Sequence, residues 1–130
     1  MDKKPKEIAE DTAYNIDEEQ RGINFGLMKF RKERPEFVKA FMDMWRKSKE
    51  GEALPLKYRE LIALAIVLVQ HCRPCIFLHT KICLDVGATR QEILETAEIA
   101  VAMGGGIVYE YVGYLVEALN FYEKENSEKT

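Results

Sequence analysis

Apolar positions along this chain recur every three or four residues, the period of an amphipathic helix. Phe37, Val38, Phe41, Met44 and Trp45 follow that spacing. Pro35 sits where such a helix starts, and Gly51 closes the segment. Pro55 opens the next segment, in which residues 56–69 are apolar at nearly every position. That pattern predicts a helix buried on most of its faces. A buried strand is the rival reading over 61–69, but the length and the proline start favour helix. Pro74 marks the next start, and the apolar positions from 75 to 84 fit a helix ending at Gly87. Thr89 and Glu92 have the spacing of a capping box. Ile93, Leu94, Ala97, Ala100 and Val101 then mark a buried face. Gly104, Gly105 and Gly106 interrupt the pattern, and Ile107, Tyr111, Leu115, Leu119 and Tyr122 give a final helix. The polar tail after Glu123 is expected to fray. Residues 5–14 can form a short helix, whereas Gly22 and Gly26 leave 15–26 without a clear pattern. Sustained alternation and Asn-Gly or Asp-Gly turns are missing. The expectation is an all-α domain of about six helices.

Charge divides the chain into two zones. Of 19 Lys/Arg and 22 Asp/Glu, most fall in residues 1–60. We therefore read one domain over 1–130, with a charged helical layer over 1–53 and an apolar core region over 54–123. With 130 residues and 47% hydrophobic composition, such a domain can bury a core of its own. The net charge of −3 argues against a broad nucleic-acid surface. The longest apolar run, 61–69, is too short to span a membrane, and the start Met1-Asp2-Lys3-Lys4-Pro5 is unlike a secretory signal. A cytoplasmic location is expected, without nucleic-acid or membrane partners. The three cysteines are too few for a disulfide scaffold, so they need another explanation.

Two of them stand in Cys72-Arg73-Pro74-Cys75, with His79 four residues later and Glu60 twelve residues earlier. On a helix, positions 72, 75 and 79 share one face. Two cysteines three apart at a helix start can close a disulfide. The free N–H groups of a first turn also stabilise a thiolate. Pro74 fits there because a first-turn proline loses no hydrogen bond. His79 can exchange a proton with the Cys75 sulfur, and Glu60 can orient the histidine. A thiol, a base and an acid are the ingredients of an activated nucleophile. A zinc site is the rival reading. Cys72 and Cys83 cannot share an ion, because eleven residues of helix span about 16 Å. Three ligands joined by Glu60 or His71 leave a metal site open. Cys83 reads as a buried small hydrophobe. The glycine run follows a helix and lacks the Lys-Ser/Thr of a phosphate loop, so it reads as a turn or a close contact. The basic stretch 29–34 is broken by Glu33 and reads as a solvated face.

Glu60-x11-Cys72-x2-Cys75-x3-His79 resembles the active-site motif of the alkyl hydroperoxidase D-like branch of the carboxymuconolactone decarboxylase family. Residues 85–93 and the glycine turn at 104–106 look like the same family, and the likeness covers about 54–120. The resemblance implies an all-α fold in which a helical hairpin carries the CxxC motif. It implies a homo-oligomer, a hexamer or a trimer. It also implies that Cys75 is the peroxidatic thiol, Cys72 the resolving thiol, and Glu60 with His79 a proton relay. The substrate would be a hydroperoxide or a disulfide partner. The reductant would be a dithiol, in some members a lipoyl-bearing protein, and no cofactor or metal is implied. Members of this branch often have a histidine inside the CxxC, where this chain has Pro74, with Arg73 beside it as a charge that could stabilise the thiolate. The alternatives are a metal-binding or redox-sensing oligomer without turnover, and a decarboxylase-like enzyme acting on a small lactone.

Overall fold

In the computed structural model, residues 13–129 are described. They form six α-helices and no strand: α1 (Ile16–Glu33), α2 (Pro35–Lys47), α3 (Leu56–Val69), α4 (Arg73–Asp85), α5 (Arg90–Gly104) and α6 (Gly106–Glu128). The all-α fold class expected from the periodicity is the one observed. The short helix expected at 5–14 falls largely outside the described residues.

The segment 15–26, without a pattern in the sequence, is helical. Asn15 caps it by accepting a hydrogen bond from the Glu18 amide at 3.0 Å. Asp17, Glu18 and Glu19 in the first turn and Arg31 and Lys32 in the last oppose the helix dipole. Gly22 and Gly26 lie on its exposed side, where they weaken the helix without breaking it. The last helix also runs further than its polar tail suggested, through to Glu128. At the opposite end of the second helix the change is a shortening, with α2 ending at Lys47 and Ser48 capping it.

The centre is a sandwich of helices. α3 packs on α4 and α5, α4 packs on α6, and α5 on α6. Leu64, Leu68, Ile76, Ile93, Leu115 and Leu119 are fully buried at the meeting of these helices. A second cluster, Ile16, Phe77, Ala118 and Tyr122, attaches α1 to α4 and α6. α3 differs from its prediction: it is apolar all round but not buried all round. Leu61, Leu64, Val67 and Leu68 face the core, while Ile62, Ile66 and Val69 are exposed. α2 goes further in the same direction. Its apolar stripe is present, yet no residue of it is buried.

Two helix ends decide where the site lies. After α4, the Gly87 and Ala88 amides donate to the Leu84 and Cys83 carbonyls, with Gly87 at φ 92°. This is a Schellman closure with glycine in its usual place. After α3 the same pair of bonds recurs: His71 donates to Leu68 and Cys72 to Val67. Here the left-handed position is taken by His71, at φ 58°. A side chain in that conformation costs about 1–2 kcal/mol. The closure turns the chain sharply, so that Cys72 becomes the N-cap of α4 and the CxxC motif sits at the bend of the α3–α4 hairpin. Thr89 caps α5 with the expected box, its hydroxyl accepting from the Glu92 amide while the Glu92 carboxylate accepts from the Thr89 amide. Gly105, at φ 81°, makes the sharp turn between α5 and α6.

Candidate active site

Pro74 occupies the first turn of α4, which fixes the backbone there without a lost hydrogen bond. Cys72 and Cys75 lie three residues apart across this turn, with Cα atoms 5.2 Å apart, and are joined as a disulfide. Cys72 is the N-cap of α4, so the free first-turn amides of the helix lie at this end of the motif. His79 follows one turn later on the same face of α4, at roughly 5–6 Å between Cβ atoms.

Glu60 and His79 are both buried, at 3% and 7% exposed. Glu60 belongs to the core-facing side of α3 and reaches across the hairpin. Its Oε2 lies 3.8 Å from His79 Nδ1, an ionic contact longer than a hydrogen bond. Nδ1 is buried and has no hydrogen-bond partner. A small rotation of either side chain would pair them, as resting catalytic contacts often require. Burial pushes the His79 pKa below its ordinary value, and the nearby Lys49 ammonium adds to this; Glu60 opposes both. The imidazole is therefore neutral at neutral pH, with a free lone pair for a proton.

Two residues near this pair had no signal in the sequence. Lys49, in the turn after α2, reaches Glu60 at 3.0 Å to Oε1 and 3.1 Å to Oε2. Its ammonium lies 4.9 Å from the Trp45 ring centre, and the Trp45 ring lies 6.5 Å from that of His79. Eleven residues and a turn separate Lys49 from Glu60, so no helical spacing links them.

Cys83, one turn beyond His79, is buried and free. Burial, with Glu60 adding to it, pushes its thiol up to about 12, so it stays protonated and unreactive. Its reading as a core residue agrees with this position. Among the described residues, no three His, Cys, Asp or Glu side chains converge so as to hold a metal ion. His71, a candidate fourth ligand, instead stacks on Tyr111 at 5.0 Å.

Arg73, between the two cysteines in sequence, makes contacts of its own. Its guanidinium pairs with Glu19 of α1 at 2.9 Å. It also lies over the rings of Tyr14 at 4.4 Å, Tyr114 at 4.8 Å and Phe77 at 5.7 Å. Its charge is thus held by α1 and an aromatic cage. The Gln20 side chain adds a long contact to the Pro74 carbonyl, at 3.5 Å. Through these groups α1 is laid directly on the CxxC turn.

Among the described residues, no helix is long and apolar enough to cross a membrane. The profile of the carboxymuconolactone decarboxylase family matches residues 35–112. An uncharacterized protein of Cupriavidus necator is 30% identical over 93 residues, which is 72% of this chain and 80% of that protein. The crystal structure of an apo carboxymuconolactone decarboxylase family protein from Legionella pneumophila superposes with a TM-score of 0.79 at 36% identity, over 82% of this chain and 96% of that one. A family protein from Thermotoga maritima, for which an involvement in an antioxidative response has been suggested, gives 0.67 at 28% identity, over 70% and 94%. With the profile spanning more than half of its length and the fold shared, this chain belongs to the carboxymuconolactone decarboxylase family.

Proposed function

We propose that the protein is a thiol-dependent antioxidant oxidoreductase of the alkyl hydroperoxidase D-like kind, cycling between a dithiol and the Cys72–Cys75 disulfide. The observation that carries this reading is the disulfide at the α4 start, with a buried carboxylate–imidazole pair one turn behind it. The suggested antioxidative role of the Thermotoga relative points the same way.

The chemistry runs in three balanced steps. The Cys75 proton passes to His79, whose imidazolium Glu60 stabilises. The Cys75 thiolate attacks the terminal oxygen of a hydroperoxide, the O–O bond breaks, and the departing alkoxide takes the proton back as an alcohol. Cys75 is now a sulfenic acid. The Cys72 sulfur attacks it, the S–O bond breaks, and water leaves as the disulfide forms. An external dithiol then reduces this disulfide by two exchanges and is itself oxidised. A lipoyl group has the right chemistry for that donor. A disulfide partner could replace the hydroperoxide as oxidant through the same Cys75 thiolate.

Mass spectrometry tests this directly. Reduced protein given one equivalent of hydroperoxide is expected to lose two hydrogens and gain a Cys72–Cys75 crosslink. Added dihydrolipoamide is expected to restore both thiols. Thiols that survive the peroxide, or oxidation that never closes the crosslink, would overturn the reading.

Assembly into a hexamer or trimer belongs to the same proposal. Phe37, Phe41 and Met44 of α2 are half or more exposed, and Ile62 and Ile66 of α3 add to the apolar surface. Unpartnered apolar surface of this kind is the mark of an interface. Light scattering is expected to give a mass several times the 15.0 kDa chain. Phe41→Asp with Met44→Asp is expected to reduce it to the single chain. A wild-type protein that is monomeric at micromolar concentration would remove this part of the proposal.

A further inference from the structure

We propose that Lys49 is a positioning residue of the site, supplying the counter-charge that holds the Glu60 carboxylate against His79 and keeps the imidazole free to take the Cys75 proton. The inference rests on the proposed thiol chemistry and adds to it a residue outside the recognised motif.

The geometry is built rather than incidental. Lys49 Nζ contacts both oxygens of Glu60, at 3.0 and 3.1 Å. The two side chains are 18% and 4% exposed, so this pair differs from the exposed ion pairs along α2. A carboxylate so far from water is strongly disfavoured without an opposite charge beside it. The backbone that presents Lys49 is tied down. Arg59, the neighbour of Glu60 on α3, donates to the Ser48 carbonyl at 2.9 Å and to the Leu54 carbonyl at 2.8 Å. Thus one turn of α3 holds both Glu60 and the loop that bears its partner. Trp45 completes the arrangement, with its ring near both the Lys49 ammonium and the His79 ring.

The ionisable groups around His79 come from three elements. Glu60 faces it from α3 and Lys49 from the turn after α2. On α4 itself, Cys75 lies one turn before and Cys83 one turn after. Cys83 stays protonated, so it adds no charge. Glu60 favours the imidazolium and Lys49 disfavours it. Burial lowers the pKa of the imidazole most, and the balance of these two charges then adjusts the pH at which His79 becomes a base. Without Lys49, the imidazolium of His79 is the counter-charge left to the buried Glu60 carboxylate, so the pair takes up a proton at higher pH. The imidazole then holds a proton at higher pH and ceases to accept one from Cys75 near neutrality.

The test uses the full-length, pre-reduced protein and tert-butyl hydroperoxide, with the rate of Cys75 oxidation followed across pH. Lys49→Met is expected to slow the reaction roughly a hundredfold near neutral pH, at the lower end of a lost acid–base contribution. Its acid limb is expected to move to higher pH. Lys49→Arg should recover most of the rate and return the limb. A purely structural role would lower the yield of folded protein but leave the limb where it is. If Lys49→Met does not fold, Lys49→Gln keeps a donor toward Glu60 without the charge and should show the same displaced limb. A wild-type rate and limb in the neutral variant would overturn the inference, provided that Glu60→Gln is slow. If Glu60→Gln and His79→Asn are themselves as fast as wild type, it is the parent reading that has failed.

Discussion

Cys75→Ser is expected to abolish hydroperoxide turnover, on the order of a thousandfold or more, whereas Cys72→Ser should still react once. The asymmetry follows from where each sulfur sits. Cys75 lies inside the first turn of α4, one turn before His79, the base proposed to take its proton. Cys72 is the N-cap, with extended backbone at φ −97° and its amide bound to the end of α3. Its part is to approach an already oxidised Cys75. In Cys72→Ser the Cys75 sulfenic acid therefore has no internal partner. It should persist long enough for a nucleophilic probe such as dimedone to capture it, and excess oxidant should drive it to the sulfinic acid. Mass spectrometry reads each species. Exchanged behaviour of the two variants would mean that Cys72 is the attacking thiol. Unchanged turnover in both would mean that the pair is not the reaction centre.

Phe77→Ala is expected to produce the largest loss of stability among single changes near the site, about 3–5 kcal/mol. Phe77 is 1% exposed and packs in the cluster of Ile16, Ala118 and Tyr122. The Tyr114 ring meets it edge-on at 6.1 Å. Truncation leaves a cavity lined by three helices, which close only partly around it. It also removes one wall of the cage around Arg73, so α1 should loosen over the CxxC turn. Set against a total of about 5–15 kcal/mol, the variant should be marginal at ordinary temperature. Urea unfolding at one fixed protein concentration measures this, since an assembly makes stability depend on concentration. A shift below about 1 kcal/mol would mean that the cluster is not a fastening point.

Much of the fold could be read in the sequence because local signals and packing agree there. Pro35, Pro55, Pro74 and the Thr89–Glu92 box all stand at helix starts. Gly87 stands at the left-handed position of a helix end. The α3 end is legible as the end of the apolar run at Val69, although His71 stands in its closure where glycine is usual. α1 was missed because Gly22 and Gly26 dilute its pattern, while the cap and the charges at its ends, which hold it, leave little periodic trace. Burial was misjudged on α3, since periodicity reports which residues are apolar and not which apolar face finds a partner in the same chain. At the site, Glu60, Cys72, Cys75 and His79 were named from spacing alone, and the structure brings them to one hairpin. Lys49 and Trp45 had no such spacing, because a turn and a change of helix lie between them and the residues they touch. The contacts of Arg73 with Glu19 and the Tyr14 and Tyr114 faces leave no trace in sequence spacing, because these partners lie on other elements.

The buried third cysteine has a practical corollary. Because the Cys83 thiol is shielded and raised to about 12, a thiol reagent applied to the native protein meets only the CxxC pair. Labelling stoichiometry then separates the dithiol from its oxidised forms. A chain that binds two labels is fully charged with reducing equivalents, and one that binds none has delivered both. A population that binds a single label is stopped between the two: a sulfenic acid awaiting closure, a Cys75 over-oxidised to the sulfinic acid, or a mixed disulfide with the donor. In an oligomer the distribution of such counts would tell whether subunits discharge independently or in concert, without any engineered reporter.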